Sequence, residues 1–186
     1  TYVDSPDDPM VVAGYGTIGL EIADELQDLD RIIVPVGGGG LVTGVGLAVK
    51  AVKPAIKVVG VQTAACPAML VSLSEKKKYE EYPTEPSICE GLVGGIGRLP
   101  YEYASRCIDS VVEASEDAIR YAVRVLLQRE KVVSEPSGSV GAAYILEHLK
   151  EFRGTKVAVV VSGGNIGLDI LAASVSQACL DPEKRG

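Results

Sequence analysis

Four consecutive glycines, at positions 37–40, follow an apolar segment that ends at Val36. Glycine loses more backbone entropy on folding than any other residue, so four in a row need a reason. A helical pattern begins directly after them, at Leu41. Backbone N–H groups at a helix N-terminus point outward without partners, and the helix dipole favours negative charge there. The spacing predicts a loop that binds phosphate, and a flexible strand-to-helix turn is the alternative.

A second glycine-rich segment, Ser162-Gly163-Gly164-Asn165, follows the most apolar stretch of the chain. In open parallel sheets, ligands bind outside the carboxyl ends of the strands. The two glycine-rich segments are far apart in sequence, yet both occupy such strand ends. We therefore expect them to lie on one edge of a common sheet, where they can contribute to one site.

Predicted strands alternate with predicted helices along the chain, and this order favours an α/β fold with an open, mainly parallel, twisted sheet and flanking helices. The strands are predicted at residues 31–36, 57–62, 108–113 and 156–162. The helices are predicted at residues 41–52, 67–74, 116–130, 139–149 and from about 166 to 175, and a helical repeat also runs from residue 18 to residue 29. Residues 1–9, 79–100 and 132–138 are expected to be irregular.

The pattern Gly14-x-Gly16-x-x-Gly19 matches the dinucleotide-binding fingerprint. Its context does not, because only a short apolar run behind Pro9 precedes it, which makes a poor first strand. The next strand ends in Gly37 rather than near an acid that could bind a ribose. We interpret the three glycines as a means of close packing for a loop and the start of a helix, and NAD binding as the weaker alternative.

The composition fits one domain and argues against several classes of partner. The 186 residues carry 18 basic and 25 acidic side chains, a net charge of −7, which disfavours nucleic-acid binding. No apolar run approaches the roughly 18 residues of a membrane span. The four cysteines show no metal-ligand spacing, and the chain has one histidine. A cytoplasmic protein without nucleic-acid or membrane partners is expected.

Five ordered segments resemble pyridoxal-phosphate (PLP) enzymes of fold type II, the tryptophan synthase beta-like group, and within it the threonine/serine dehydratases (threonine ammonia-lyases) and serine racemases. DDP at 7–9 with AGYGTIGLEI at 13–22 is similar to the family's DDP…AGQGTIxxEI, although Tyr15 replaces its glutamine. The other matches are GGGGL at 37–41, ICEGL at 88–92, EPSGS at 135–139 and SGGN at 162–165.

The resemblance implies PLP as the cofactor and a set of residues that hold it. The phosphate would be bound by the glycine loop and the first residue after it. The serine of SGGN would face the pyridine nitrogen, and a hydroxyl there leaves that nitrogen largely unprotonated. The acid of EPSGS would lie near the ring, with a plain surface acid as the alternative. The implied cofactor-binding residues are Gly37, Gly38, Gly39, Gly40, Leu41, Glu135, Ser162 and Gly163.

The family's Schiff-base lysine lies in an SFKxRGA-like motif, and its asparagine loop reads SxGNHAQG; neither motif occurs in these 186 residues. No lysine present lies in an apolar sequence context that would favour imine formation. We therefore predict no catalytic residue in this chain. The resemblance implies that residues 1–180 form most of the PLP-binding large domain and that residues 181–186 are a loose tail.

Serine racemase-like members bind a metal through a Glu and an Asp, where this chain has Gln62 and Ala68, so we predict no metal site. The resemblance implies a parent lyase that converts L-threonine or L-serine to a 2-oxo acid and ammonia. Serine racemase-type activity and a non-catalytic PLP- or phosphate-binding module are the alternatives. The expected partners are the amino-acid substrate and either further copies of the chain or a complementary N-terminal chain that carries the lysine.

Overall fold

The computed structural model describes residues 6–176. Its strands are β1 (Arg31–Pro35), β2 (Lys57–Thr63), β3 (Ser110–Ala114) and β4 (Val157–Val159). They form one parallel sheet in the order β3-β2-β1-β4. The predicted α/β class with a parallel sheet is confirmed. The predicted tail at 181–186 lies outside the described residues, and the domain limits stay a prediction.

Seven α-helices surround the sheet in the described part of the chain. They are α1 (Pro9–Glu25), α2 (Gly40–Val52), α3 (Ala68–Ser74), α4 (Arg98–Cys107), α5 (Glu116–Val125), α6 (Pro136–Glu147) and α7 (Leu168–Ser176). Short 3-10 turns at Glu90–Leu92 and Leu149–Phe152 and a π-helical turn at Leu126–Glu130 complete the elements.

The central strand β1 separates two hydrophobic clusters, because successive side chains of a strand point to opposite faces. Ile32 and Val34 are fully buried in the cluster that also contains α2 residues such as Val45. Ile33 is fully buried in the other cluster, with Ile119 of α5 and other residues of α5 and α6. Burial on both faces explains why β1 is a continuous apolar run.

Helix α1 begins at Pro9, earlier than the helical repeat predicted from residue 18, so the prediction that the three glycines belong to a loop and the start of a helix is wrong. Asp8 caps the helix, since its carboxylate accepts hydrogen bonds from the N–H groups of Met10 (2.8 Å) and Val11 (3.3 Å). Pro9 occupies the first turn, where its missing N–H is harmless. The three fingerprint glycines therefore lie inside a helix, and no strand precedes them in the described residues.

Two of those glycines, Gly16 and Gly19, do serve close packing, but of two helices rather than of a loop and a helix start. A Cβ added at Gly19 would lie 2.6 Å from the carbonyl oxygen of Val45, and one at Gly16 would lie 3.3 Å from that of Gly44. Helix α1 therefore approaches α2 at backbone distance. Gly14 meets nothing within 4 Å and has no part in this contact.

Other boundaries also differ from the sequence-based expectation. Helix α4 lies partly in the region expected to be irregular, and α6 begins at Pro136 rather than at residue 139. The last strand has only three residues, because after Val159 the chain leaves the ladder with β1 and turns toward the site. Within the described residues, no helix has the length and apolar character needed to cross a membrane.

Candidate functional site

One cavity brings the glycine-rich segments together. Its volume is about 240 Å³, and it lies beyond the carboxyl end of β1. Its lining residues are Pro6, Tyr15, Pro35, Gly37, Gly38, Gly39, Gly40, Leu41, Gly91, Leu92, Glu135, Ser137 and Ser162. Seven of the eight predicted cofactor residues therefore line one cavity. The eighth, Gly163, is not among the lining residues and lies against the carboxylate of Glu135.

The larger cavity, of about 430 Å³, lies between α1, α2 and α4. Among the described residues, its lining contains no carboxylate, amine or imidazole, and most of its side chains are apolar, among them Val12 and Leu47. The polar side chains of that described lining are the hydroxyls of Thr43 and Tyr103, and the lining has no glycine loop with unpaired N–H groups at a helix N-terminus. The smaller cavity is therefore the candidate site.

The glycine loop (residues 37–40) has a shape that only glycine allows at two positions. Gly39 has φ = 95°, in the left-handed region, and a Cβ there would lie 2.6 Å from the Cβ of Pro100. A Cβ at Gly37 would lie 2.8 Å from the carbonyl oxygen of Gly91. The loop is thus enclosed by α4 on one side and by the segment around Gly91 on the other.

The amide N–H groups of the loop are available to a ligand. Helix α2 has no side-chain cap at its N-terminus. The first N–H of this turn that bonds to the chain is that of Thr43, which donates to the Gly39 carbonyl at 3.1 Å. In residues 6–176, no acceptor is found for the N–H groups of residues 38–41. Unpaired N–H groups at a helix N-terminus are suited to an anion.

The opposite wall of the cavity comes from the start of α6 and the segment after β4. Glu135 lies between them: its carboxylate accepts a hydrogen bond from the N–H of Asn165 at 3.1 Å, and its own N–H donates to the Gly163 carbonyl at 3.2 Å. Gly163 has φ = 79°, and the Glu135 carboxylate occupies the place where a Cβ would be. The acid therefore holds the 163–165 segment, which sequence reasoning did not predict.

The segment at residues 87–92 covers the glycine loop and is anchored twice. The Gly91 N–H donates to the hydroxyl of Ser137 at 3.1 Å. The carboxylate of Glu116 accepts from the Ser87 hydroxyl (2.6 Å) and the Ile88 N–H (2.9 Å). The neighbouring Cys89 is no nucleophile at neutral pH, because burial, with the nearby Glu116 charge, raises the pKa of its thiol to about 12.

The family comparison follows the same residues. The family described as "Pyridoxal-phosphate dependent enzyme" matches residues 1–163. The chain belongs to this family. The predicted resemblance is thereby confirmed, and so is the prediction of PLP as the cofactor, since members of the family depend on it.

Curated relatives of this PLP family member are named for threonine. The chain is 42% identical over 171 residues to "L-threonine ammonia-lyase" of Thermotoga maritima, and this match covers 91% of this chain and 42% of that protein. It is 39% identical over 170 residues to "L-threonine dehydratase catabolic TdcB" of Escherichia coli K12, and this match covers 90% of this chain and 51% of that protein. The chain spans about half the length of the curated relatives it matches.

Solved structures of the family show the same fold. A processed threonine deaminase isoform 2 from Solanum lycopersicum superposes with a TM-score of 0.88 at 29% identity and covers 97% of this chain and 53% of that one. A serine racemase from Dictyostelium discoideum gives 0.80 at 33% identity, with 87% and 52% covered. The fold type II assignment is confirmed by these neighbours.

Sequence reasoning did not predict six of the lining residues as site residues: Pro6, Tyr15, Pro35, Gly91, Leu92 and Ser137. Ser137 is the serine of the EPSGS segment, so its motif could have been used to find it. In the sequence, Tyr15 is recognisable only as a departure from the family pattern. Only the α1–α2 contact, which needs the tertiary fold, brings it to the cavity.

The place predicted to lack a metal contains an internal hydrogen-bond network instead. The Gln62 side-chain oxygen accepts from the N–H groups of Met69 (2.9 Å) and Leu70 (3.0 Å). Gln62 is fully buried, so its side chain is bound to the start of α3. Among residues 6–176 no group of three potential metal-ligating side chains is present. The absence of a metal in the protein stays a prediction.

Proposed function

We propose that this chain forms the cofactor-phosphate site of a PLP-dependent lyase that deaminates L-threonine or L-serine by β-elimination, giving a 2-oxo acid and ammonia. The observation that carries the proposal is the 240 Å³ cavity, in which free N–H groups of the glycine loop lie opposite the hydroxyl of Ser162. The names of the relatives support threonine as the substrate class.

The glycine loop has the features that a phosphate requires. Its N–H groups have no partners in the described chain, and the N-terminus of α2 adds a favourable dipole. In this proposal Gly37, Gly38, Gly39, Gly40 and Leu41 bind the phosphate through their backbone. The close packing around Gly37 and Gly39 keeps the loop in one conformation, so little entropy is lost on binding.

When bound, PLP supplies an electron sink that allows loss of the Cα proton and departure of the β-hydroxyl of the substrate. With PLP bound, Ser162 would offer a neutral hydroxyl to the ring nitrogen, and its O–H would donate a hydrogen bond there without adding a formal charge. Glu135 holds the 163–165 segment and so fixes the backbone that follows Ser162. These residues bind and orient the cofactor. The amine that anchors it covalently would come from outside residues 1–186.

Two alternatives each have one supporting observation. Serine racemase-type activity is supported by the similarity to the Dictyostelium discoideum serine racemase. A non-catalytic PLP- or phosphate-binding module is supported by the lining, in which no lysine is present among the described residues. D-serine formation by the longer protein that contains this sequence would favour the first. PLP binding without turnover by that same protein would favour the second.

The test is PLP binding by the purified chain in equilibrium dialysis, with inorganic phosphate as competitor, followed by borohydride reduction and peptide mass spectrometry. We expect binding that phosphate competes away and no pyridoxyl-lysine. A single labelled lysine would contradict the proposal that the anchoring amine lies elsewhere. Absence of any PLP binding would contradict the phosphate site. Turnover of L-threonine and L-serine by the longer protein then tests the substrate class.

A further inference from the structure

Tyr15 is brought to the candidate site by the close contact between α1 and α2. A Cβ added at Gly44 would lie 2.7 Å from the Cβ of Tyr15, so the missing side chain at Gly44 is what makes room for it. Gly16, the next residue of α1, lies against the same turn of α2. The start of the Tyr15 side chain is therefore fixed over the first turns of α2, beside the glycine loop.

The phenol of Tyr15 has no partner among residues 6–176. The residue is half-buried and lines the same cavity as the glycine loop. No hydrogen bond, ion pair or ring contact involves it in the described residues. A phenolic O–H can donate one hydrogen bond, and buried or half-buried tyrosines usually find a partner for it.

The part of the cavity lining that the structure describes has no cationic side chain that could pair with a phosphate. This described lining contains no Lys or Arg. It contains one carboxylate, that of Glu135. Besides backbone N–H groups, its donors are three hydroxyls, those of Tyr15, Ser137 and Ser162. Ser137 and Ser162 belong to the α6 and β4 wall, while Tyr15 lies on the α1 wall. A hydrogen bond from a neutral donor to a charged acceptor is among the stronger ones in proteins.

We propose that Tyr15 donates its phenolic O–H to the phosphate group held by the glycine loop, and that it sets the preference of the site for phosphorylated over unphosphorylated pyridoxal. This inference rests on the proposed function, because it assigns the same cavity to PLP. The ligand chemistry is that of a phosphate monoester. Tyr15 stands where the family pattern has glutamine, and the amide of glutamine, like the phenol, can donate a hydrogen bond.

The test compares Tyr15→Phe, which removes the donor, with Tyr15→Gln, which keeps one. Dissociation constants for PLP and for pyridoxal are measured by equilibrium dialysis on the full chain. Loss of a hydrogen bond to a charged group costs about 1.5 kcal/mol or more, so Tyr15→Phe should weaken PLP binding about tenfold. Pyridoxal binding should not change. Tyr15→Gln should remain within roughly threefold of wild type, since its donor can replace the phenol.

A matched control is Tyr103→Phe, because Tyr103 lines the larger cavity and not the site. It should leave both dissociation constants unchanged, and thermal unfolding reports whether each variant is folded. If wild type prefers PLP to pyridoxal and Tyr15→Phe does the same, the inference is wrong while the proposed function stands. If Phe and Gln weaken PLP binding equally, packing of the ring is responsible and the hydrogen bond is refuted. If wild type binds no PLP, both proposals fail.

Discussion

The carboxylate of Glu116 accepts a hydrogen bond of 2.6 Å from the hydroxyl of Ser87, across 29 residues of sequence. The same carboxylate accepts from Thr63 at the end of β2 (2.5 Å). One acid at the start of α5 therefore joins the sheet edge to the segment that covers the glycine loop. The position of that segment depends on a side chain that does not itself line the cavity.

We expect Glu116→Gln to loosen residues 87–92. A glutamine has one acceptor oxygen, so it cannot keep all three hydrogen bonds that the carboxylate accepts, and the lost ones should cost about 1–3 kcal/mol. Amide hydrogen exchange of Ile88 and Gly91 should become faster, and PLP binding should weaken several-fold. Asp117→Asn is the control, because Asp117 is an exposed acid in the same helical turn and shares the helix-dipole effect. Equal exchange in both variants would contradict the anchoring role.

Gly39→Ala should disrupt the site far more than an ordinary glycine substitution. Its φ of 95° is costly for alanine, by about 1–3 kcal/mol, and the new Cβ would collide with Pro100. We expect lower thermal stability and loss of PLP binding. Gly14→Ala is the matched comparison: it lies in α1 with nothing within 4 Å, so it should stabilise the protein by roughly 0.5–1 kcal/mol. Binding unaffected by Gly39→Ala would refute the assignment of the loop.

Local sequence signals predicted the elements that surround the site, because those signals act over a few residues. The apolar run of β1 and the glycines before α2 gave boundaries within a residue of the observed ones. The early start of α1 was also predictable, since Asp8 followed by Pro9 is a cap-and-proline pattern. Helix α4 was harder, because it is rich in charged residues and has Pro100 in its first turn.

The contacts that complete the site could not be predicted from local patterns. From the sequence, Glu116 is only an acidic residue in the first turn of a helix. Its hydrogen bonds with Thr63 and Ser87 depend on the tertiary fold. Tyr15 reads as a departure from a motif until α1 packs on α2. Both depend on tertiary distances between segments that are remote in sequence. One sequence carries no direct information about such distances.

Asp109 should make the stability of the fold depend on acidic pH. Partial burial acts to raise the pKa of this carboxyl, but Lys50, the Val58 N–H and Lys57 outweigh it and lower the pKa. The ionised carboxylate of Asp109 therefore stabilises the folded state at any pH above its pKa in the unfolded chain, about 3.9. This stabilisation is lost as the pH falls through the lower pKa that the carboxyl has in the folded protein. We expect Asp109→Asn to lower the free energy of unfolding by about 1 kcal/mol at neutral pH. In the acidic range, the free energy of unfolding of this variant should fall less steeply with pH than that of wild type.

The control for Asp109 is Glu102→Gln, which breaks the exposed ion pair with Arg98 (3.0 Å). Both partners of that pair are half exposed, so solvent screens it and the change should be under about 0.5 kcal/mol. Urea unfolding between pH 2.5 and pH 7 measures both variants. An Asp109→Asn protein whose stability falls with acid as steeply as wild type would show that other carboxyls dominate.

Glu135 should affect PLP binding in two separable ways, through its charge and through its contact with the 163–165 segment. Glu135→Gln keeps an oxygen that can accept from the Asn165 N–H, but removes the one carboxylate in the described lining of the cavity. Because like charges repel, we expect binding of inorganic phosphate to improve about twofold to threefold at low salt and to converge with wild type in high salt. Glu135→Ala loses the contact as well, so hydrogen exchange of Asn165 should rise in that variant alone. Equal exchange of Asn165 in the two variants would mean that the carboxylate does not hold the segment. An unchanged phosphate affinity in Glu135→Gln would mean that the charge of Glu135 lies too far from the bound anion to affect it.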